Sequence, residues 1–325
     1  MPRGGHLFCP MEVTNTKMFF SLVDYRNNYF TSDDPNKIIE FYNGFENPDQ
    51  LIQWMKERPK GVANIHEVDG DKDIIVVIPT TDFNGKYAKE CRENIFGALH
   101  MVFVESGGRG DFYFNFAHNS NVGLKRAMEY NPKWIIFTSD DRYRIDAINI
   151  LLHELKLREN LPVLLYPKFL PRSTFKHYVG RLNLFGRIIR FLVTHMPILR
   201  NNILLYRTIL LNKFLVDYNF ALPGRLNNKL LSSHNKKYYF GDIETMIFPK
   251  PLIEKHFNEL FFDDIFINGM EDHDLLLRLS LLKIPYDIIN YRIGLYYNSS
   301  LGVSIARNIR GAINLLYFSR KLRSL

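Results

Sequence analysis

Apolar and polar positions fall into blocks whose period changes along the chain. The run DIIVVIPTT, residues 73–81, is apolar with little interruption and rich in β-branched side chains. A run of that kind predicts a strand covered on both faces. MVFVES over 101–106 and KWIIFTSDD over 133–141 predict two more. Between them the spacing turns helical, over 86–96 and again over 121–130, with a short strand expected in the aromatic stretch before the second helix. Upstream, Pro35 and Pro48 open helices over 35–41 and 48–58, the second carrying Leu51, Ile52, Trp54 and Met55 before Pro59, Lys60 and Gly61 stop it. The last third mixes a helix over 272–282 with shorter strands. Strands alternating with helices predict an α/β fold with a mostly parallel sheet and helices on both faces. Ligands of such sheets sit at the carboxyl ends of the strands. Here those ends carry Thr80 and Thr81, Glu105 and Ser106, and Asp140 and Asp141.

With 46% hydrophobic and 23% charged positions in 325 residues, disorder is excluded as the main state. Cys9 and Cys91 cannot build a disulfide framework or a four-thiolate zinc site, and the first ten residues lack a signal pattern. The expected compartment is the reducing cytoplasm. No apolar stretch approaches the roughly 20 residues of a spanning helix, so no membrane crossing is expected.

The net charge of +8 is unevenly spread. Residues 160–241 hold thirteen Lys or Arg against one acid, Asp217, a local charge of +12 that leaves the rest of the chain at −4. Within that window, residues 185–218 interleave basic side chains with Leu, Ile, Phe and Val at near-helical intervals. The pattern suits helices lying in an anionic membrane interface, peripheral to the inner membrane face. It suits equally a helical hairpin with a solvated basic face. Nucleic acid is a third partner class, disfavoured by so much Leu and Ile at helical spacing.

Two acidic groups are candidates for chemistry. Asp140 and Asp141 follow a buried strand, where charge is costly unless neutralised. A divalent cation, Mg²⁺ or Mn²⁺, shared with a diphosphate would neutralise it, because such ions take oxygen ligands and often need only one or two protein carboxylates. The plainer reading is a solvated loop paired to Arg142 or Arg144. Glu271, Asp272 and Asp274 open the helix over 272–282, where acids favour the macrodipole, but three exceed what capping requires. A carboxylate there would be well placed as a general base. His273, between them, reads as a helix-surface residue.

The segments IPTT, VFVES, FAHNSNVGLKRAMEY and FTSDDRYRIDAI, within 73–146, resemble the nucleotide-binding half of family 2-type, GT-A fold glycosyltransferases. Residues 241–279, ending in GMEDHDLLLRL, resemble that family's acceptor half. The resemblance implies a GT-A, Rossmann-like domain: an N-terminal extension packed on the core over 1–70, a nucleotide-sugar half over 71–160, a basic helical insertion over 161–240, and an acceptor half with C-terminal helices over 241–325. It implies that Pro79, Thr80 and Thr81 line the nucleotide and that Glu105 meets the base or ribose. Asn121 and Gly123 match the Asn-x-Gly that opens the helix before the metal motif. Ser139, Asp140 and Asp141 match the Asp-x-Asp motif, with Asp141 as the metal ligand, Asp140 beside the cofactor and Ser139 in place of the first acid. Asp272, ahead of Glu271, matches the catalytic base of inverting members. Where many relatives carry a histidine near the C terminus, this chain has Tyr296 and Tyr297, and Arg307 and Arg310 beyond them are candidate diphosphate contacts.

The function implied is sugar transfer from a nucleoside-diphosphate sugar to a hydroxyl of a glycan or lipid-linked acceptor, by metal-assisted single displacement with inversion. Two other classes stand beside it. A nucleotidyltransferase also sets a metal-binding acid near nucleotide phosphates, although no glycine-rich, lysine-bearing loop follows the first strand. A catalytically silent GT-A-like module would use the basic segment to hold nucleic acid or a partner.

Overall fold

The structure is a computed structural model that describes residues 32–45, 47–108, 111, 113–169, 176–179, 236–239, 245–295 and 310–324. Among the described residues the first elements are α1 (Pro35–Asn43) and α2 (Pro48–Glu57), then β1 (Asn64–Val68) and β2 (Asp71–Thr80). Next come α3 (Lys86–Glu90), running into a π-helical turn at Cys91–Ile95, then β3 (Leu99–Glu105), α4 (Phe116–Glu129), β4 (Trp134–Thr138) and β5 (Arg142–Arg144). There follow α5 (Ile148–Lys156), β6 (Leu164–Phe169), β7 (Lys176–Val179) and β8 (Lys236–Tyr239). The last elements are β9 (Thr245–Pro249), α6 (Lys250–Lys255), α7 (Glu271–Leu281), β10 (Tyr286–Leu295) and α8 (Ala312–Ser324).

Eight strands form one sheet in the order β1-β3-β2-β4-β9-β6-β10-β5. The parallel pairs are β3 with β2, β2 with β4 and β6 with β10. Strands β1, β9 and β5 are antiparallel to their neighbours. The sheet is therefore mixed, which corrects the mostly parallel arrangement expected from the sequence. A run buried on both faces fixes a central place in the sheet but not a direction, and β9, buried throughout, runs against both neighbours.

Helices cover both faces. On one, α4, α6 and α7 pack on Val77, Val104 and Phe137; on the other, α3 and α5 pack on Val76, Phe103 and Trp134. Helices α1 and α2 share an apolar cluster with Ile267, Ile313 and Leu316, which attaches them to α8 and the approach to α7. Asp34 caps α1 by accepting from Asn36 N, and Asn47 caps α2 by accepting from Asp49 N and Gln50 N, each ahead of a proline.

Several boundaries differ from the expectation. The aromatic stretch read as a short strand is a turn, and α4 starts at Phe116 because Asn115 caps it, accepting from His118 N at 3.0 Å. The sheet takes in β1, before residue 71, and β6, after residue 160. The amphipathic basic stretch 185–218, the Tyr296–Tyr297 pair and Arg307 lie outside the described residues. Among the described residues no helix is long and apolar enough to cross a membrane.

Candidate functional site

From β2 the chain crosses to β3 on one side and then to β4 on the other, so the strand order reverses between β2 and β4. The crevice outside the carboxyl ends at such a reversal is where open α/β sheets hold ligands. Thr80 ends β2, and its Oγ1 donates to Asp140 Oδ2 at 2.7 Å. Ser139 Oγ donates to Asp141 Oδ1 at 2.5 Å, so the residue expected to stand in for the first acid of an Asp-x-Asp motif holds the last one. Arg142 Nη2 stands 3.7 Å from Asp141 Oδ1, with the Arg142 side chain only 1% exposed. The ion pair expected by the plainer reading is present, but its cation is buried rather than solvated. Arg144 is exposed on β5.

Two carboxylates against one guanidinium leave this edge electrically negative, and burial resists that charge. Burial first, then the neighbouring Asp141, push the Asp140 carboxyl up to about 6, against the Thr80 hydroxyl, which favours the ionised form. Beneath it, Cys91 Sγ donates to Asp140 O at 3.5 Å from the π-helical turn, and burial pushes that thiol up as well.

The other residues expected to line a nucleotide divide by their contacts. Pro79 is buried inside β2 opposite Val104, while Thr81 is exposed at the rim. Glu105 accepts from Phe83 N at 2.9 Å and pairs with His66 Nε2 at 2.9 Å, and the Phe83 amide above all holds its carboxyl below the usual range. Asn121 exchanges two hydrogen bonds of 2.8 Å with the backbone of Phe262, which commits it to packing. Gly123 lets α4 approach the sheet: a Cβ there would lie 2.6 Å from Val77 Cγ1 and 2.8 Å from Val104 Cγ2. Neither Asn121 nor Gly123 opens the helix, which begins at Phe116.

The turn into α7 is conformationally strained. Asn268 and Met270 adopt left-handed backbone angles, φ 51° and 72°. Such angles are uncommon for a bulky residue and cluster at functional sites. Phe116 N donates to Asn268 Oδ1 at 3.0 Å, and Phe116 packs edge-on against Phe137 at 6.2 Å in β4. These contacts bring the start of α7 to the edge of the sheet that carries Asp140 and Asp141. The three acids then separate. Asp274, 2% exposed, bonds Arg278 Nε at 2.9 Å and Lys321 Nζ at 2.6 Å and joins α7 to α8. Glu271 is buried and accepts from Gly269 N at 2.5 Å. Asp272 is half-buried. Arg310, expected as a diphosphate contact, instead donates to Ser32 O at 2.8 Å. The His273 side chain lies outside the described residues.

Hydrophobic pattern gave no sign of one further feature. Phe83, in the loop after β2, stacks on His66 at 4.4 Å with the Arg92 guanidinium 4.2 Å from its ring centre. The turn sequence Asp82-Phe83-Asn84-Gly85 was the available signal for Phe83. Among the described residues no three His, Cys, Asp or Glu side chains group as a metal site. Asp140 and Asp141 nonetheless fit a hard divalent cation, since both offer carboxylate oxygens and the half-buried Asp140 resists ionisation without added positive charge. The sequence matches no protein-family model and no curated protein.

Proposed function

We propose that the chain is a glycosyltransferase of GT-A type that moves a sugar from a nucleoside-diphosphate sugar to an acceptor hydroxyl with inversion at the anomeric carbon. The observation that carries this reading is the carboxylate pair at the strand-order reversal, with Asp140 on Thr80 and the start of α7 at the same edge. Asp272 takes the proton of the acceptor hydroxyl, whose oxygen forms the new bond to the anomeric carbon. The bond from that carbon to the diphosphate breaks, and the nucleoside diphosphate leaves with the electron pair. Thr80 orients Asp140, while Ser139 and Arg142 orient Asp141. A divalent cation, Mg²⁺ or Mn²⁺, held by Asp141 with Asp140 beside it would supply positive charge at the leaving diphosphate. Asp272 is preferred to Glu271 because Glu271 holds the strained turn through Gly269. The basic segment gives the enzyme a peripheral place on the inner face of a membrane, where a lipid-linked acceptor is presented.

The test is release of nucleoside diphosphate from UDP- and GDP-sugars with Mn²⁺. Slow release by the intact protein that disappears in Asp141→Ala supports the reading. No release from any donor, or equal release by Asp141→Ala, refutes it. Retained anomeric configuration in the product of a working acceptor would refute inversion alone.

A further inference from the structure

Helix α8 carries three polar side chains, Asn314, Tyr317 and Lys321, spaced i, i+3 and i+7 and therefore aligned along one side of the helix. All three reach the segment that leads into α7. Lys321 Nζ bonds Asp263 Oδ2 at 2.7 Å, where that segment starts, and Asp274 Oδ1 at 2.6 Å, in the first turn of α7. Tyr317 Oη also donates to Asp263 Oδ2, at 3.0 Å. Between these two anchors Asn314 holds one residue of backbone at both its polar atoms. Ile267 N donates to Asn314 Oδ1 at 2.9 Å, and Asn314 Nδ2 donates to Ile267 O at 2.7 Å.

Asparagine is a poor residue for a helix interior, and Asn314 is only 1% exposed, where a carboxamide is costly unless it is bonded. Its two bonds fall on the residue just before left-handed Asn268 and Met270, so they fix the entry to the strained turn. Gly269 lies against the same carboxamide, since a Cβ there would stand 3.2 Å from Asn314 Nδ2. From the other side, Asn268 accepts from Phe116 N and donates to Phe114 O at 3.3 Å. The turn is thus gripped between α8 and the start of α4, and the next residues along the chain are Glu271 and Asp272. Helix α8 is placed in turn by α1. Buried Tyr42 donates to Arg310 O at 2.8 Å and accepts from Ile313 N at 3.2 Å, while Ile313 and Leu316 share an apolar cluster with Phe41, Phe45 and Trp54.

Resting on the transferase reading, we propose that Asn314 is a positioning residue for the reaction, the last link of a brace that runs from Tyr42 on α1 through α8 to the turn before Asp272. Asn314 touches no reacting atom. It sets the backbone at 267–270, which sets where α7 starts and so where the Asp272 carboxylate meets the acceptor hydroxyl. The brace also gives α1 a task in the reaction, although it lies far along the chain from the acids: it holds α8 in register with the turn.

The test uses the full chain with Mn²⁺ and whichever UDP- or GDP-sugar it hydrolyses fastest, water standing in for the acceptor hydroxyl. It compares Asn314→Leu, Tyr42→Phe and, as a control for lost stability, Leu151→Ala in α5 on the opposite face of the sheet. Rates are taken at a temperature where amide exchange shows β2, β3 and β4 protected in every variant. Asn314→Leu should lower kcat about 100-fold with donor KM unchanged, the cost of misplacing a reacting group by about 1 Å. Tyr42→Phe, which keeps the ring and loses one hydroxyl, should lower kcat about 5-fold, and it decides the matter if Asn314→Leu does not fold. Leu151→Ala should keep both constants at wild-type values although it is destabilised. Amides 267–272 should exchange faster in the first two variants while those of the sheet do not. A wild-type kcat, a loss carried by KM, or an equal loss in Leu151→Ala overturns the proposal. If the intact protein releases no nucleoside diphosphate, the transferase reading falls and exchange alone decides the brace: acceleration confined to 267–272 upholds Asn314 as the residue that sets the turn, and unchanged exchange overturns it.

Discussion

Replacing Asp140 by Asn should stabilise the metal-free protein at neutral pH, because the native state holds this carboxyl where ionisation is costly. Its carboxyl sits at about 6 in the folded state against an ordinary 3.8. Between those values the native state binds more protons than the unfolded chain, so stability falls as the pH rises. At 1.36 kcal/mol per pH unit the gap corresponds to about 3 kcal/mol, fully present above the folded value and absent below the unfolded one. Asn carries no charge and keeps an oxygen to accept from Thr80, whose Oγ1 lies 2.7 Å from the Asp140 carboxylate. The assay is urea unfolding of both proteins in chelator, from about pH 4 to about pH 7.5. The variant should match the wild type at the acid end and exceed it by about 2–3 kcal/mol at the other. The comparison isolates Asp140 because Glu67, Glu105, Asp146 and Asp263, all held below the usual carboxylate range, lose their stabilising effect at low pH in both proteins alike. A difference independent of pH, or a variant less stable at neutral pH, would refute the burial argument. Mn²⁺ added at neutral pH should narrow the gap by stabilising the wild type more.

Three further substitutions test how the site is held. Gly123→Ala should cost about 1–3 kcal/mol in urea unfolding, since its Cβ meets Val77 and Val104, and adding Val77→Ala should recover part of that through a favourable coupling. Asn121→Ala should cost about 2 kcal/mol through its two bonds to Phe262, with donor KM unchanged; a raised KM at equal stability would return Asn121 to the nucleotide site. Asp274→Asn should cost about 2 kcal/mol, below the roughly 3–5 of a fully buried pair because Arg278 and Lys321 are 24% and 28% exposed.

The strands legible in the sequence are those buried on both faces, because continuous β-branched runs leave little else for β2, β3 and β4 to be. Strand β6 was hidden by Pro167, since proline in a central strand removes a ladder donor. The structure accommodates it with an irregularity in the partner: Tyr166 pairs with Ile288 and Lys168 with Arg292, so β10 advances four residues while β6 advances two across the proline. Strand β1, mostly exposed, has no buried face to announce it. The direction of β9 could not be read because hydrophobic pattern reports burial, and burial is the same for a strand run either way.

At the site, sequence could name the acids but not sort them. Glu271, Asp272 and Asp274 give one signal on paper, yet their partners differ: Glu271 is held by the Gly269 amide, and Asp274 by Arg278 and by Lys321 on α8. Ser139 reads as a lost ligand, whereas its hydroxyl donates to Asp141 and orients the acid that remains. The energetic costs fall together: a half-buried carboxyl held near 6, a buried arginine beside it, and left-handed Asn268 and Met270 all stand at one edge of the sheet. Elsewhere on that edge Asp146 is satisfied by Arg292, and on the far side of α7 Asp274 is satisfied by Arg278 and Lys321. Asn at 140 would relieve the first of those costs while keeping an acceptor for Thr80, whereas Met270 offsets its backbone strain by packing against two apolar clusters. Costs gathered at one edge are what the proposed site would ask of its residues, with ligand binding rather than folding setting them.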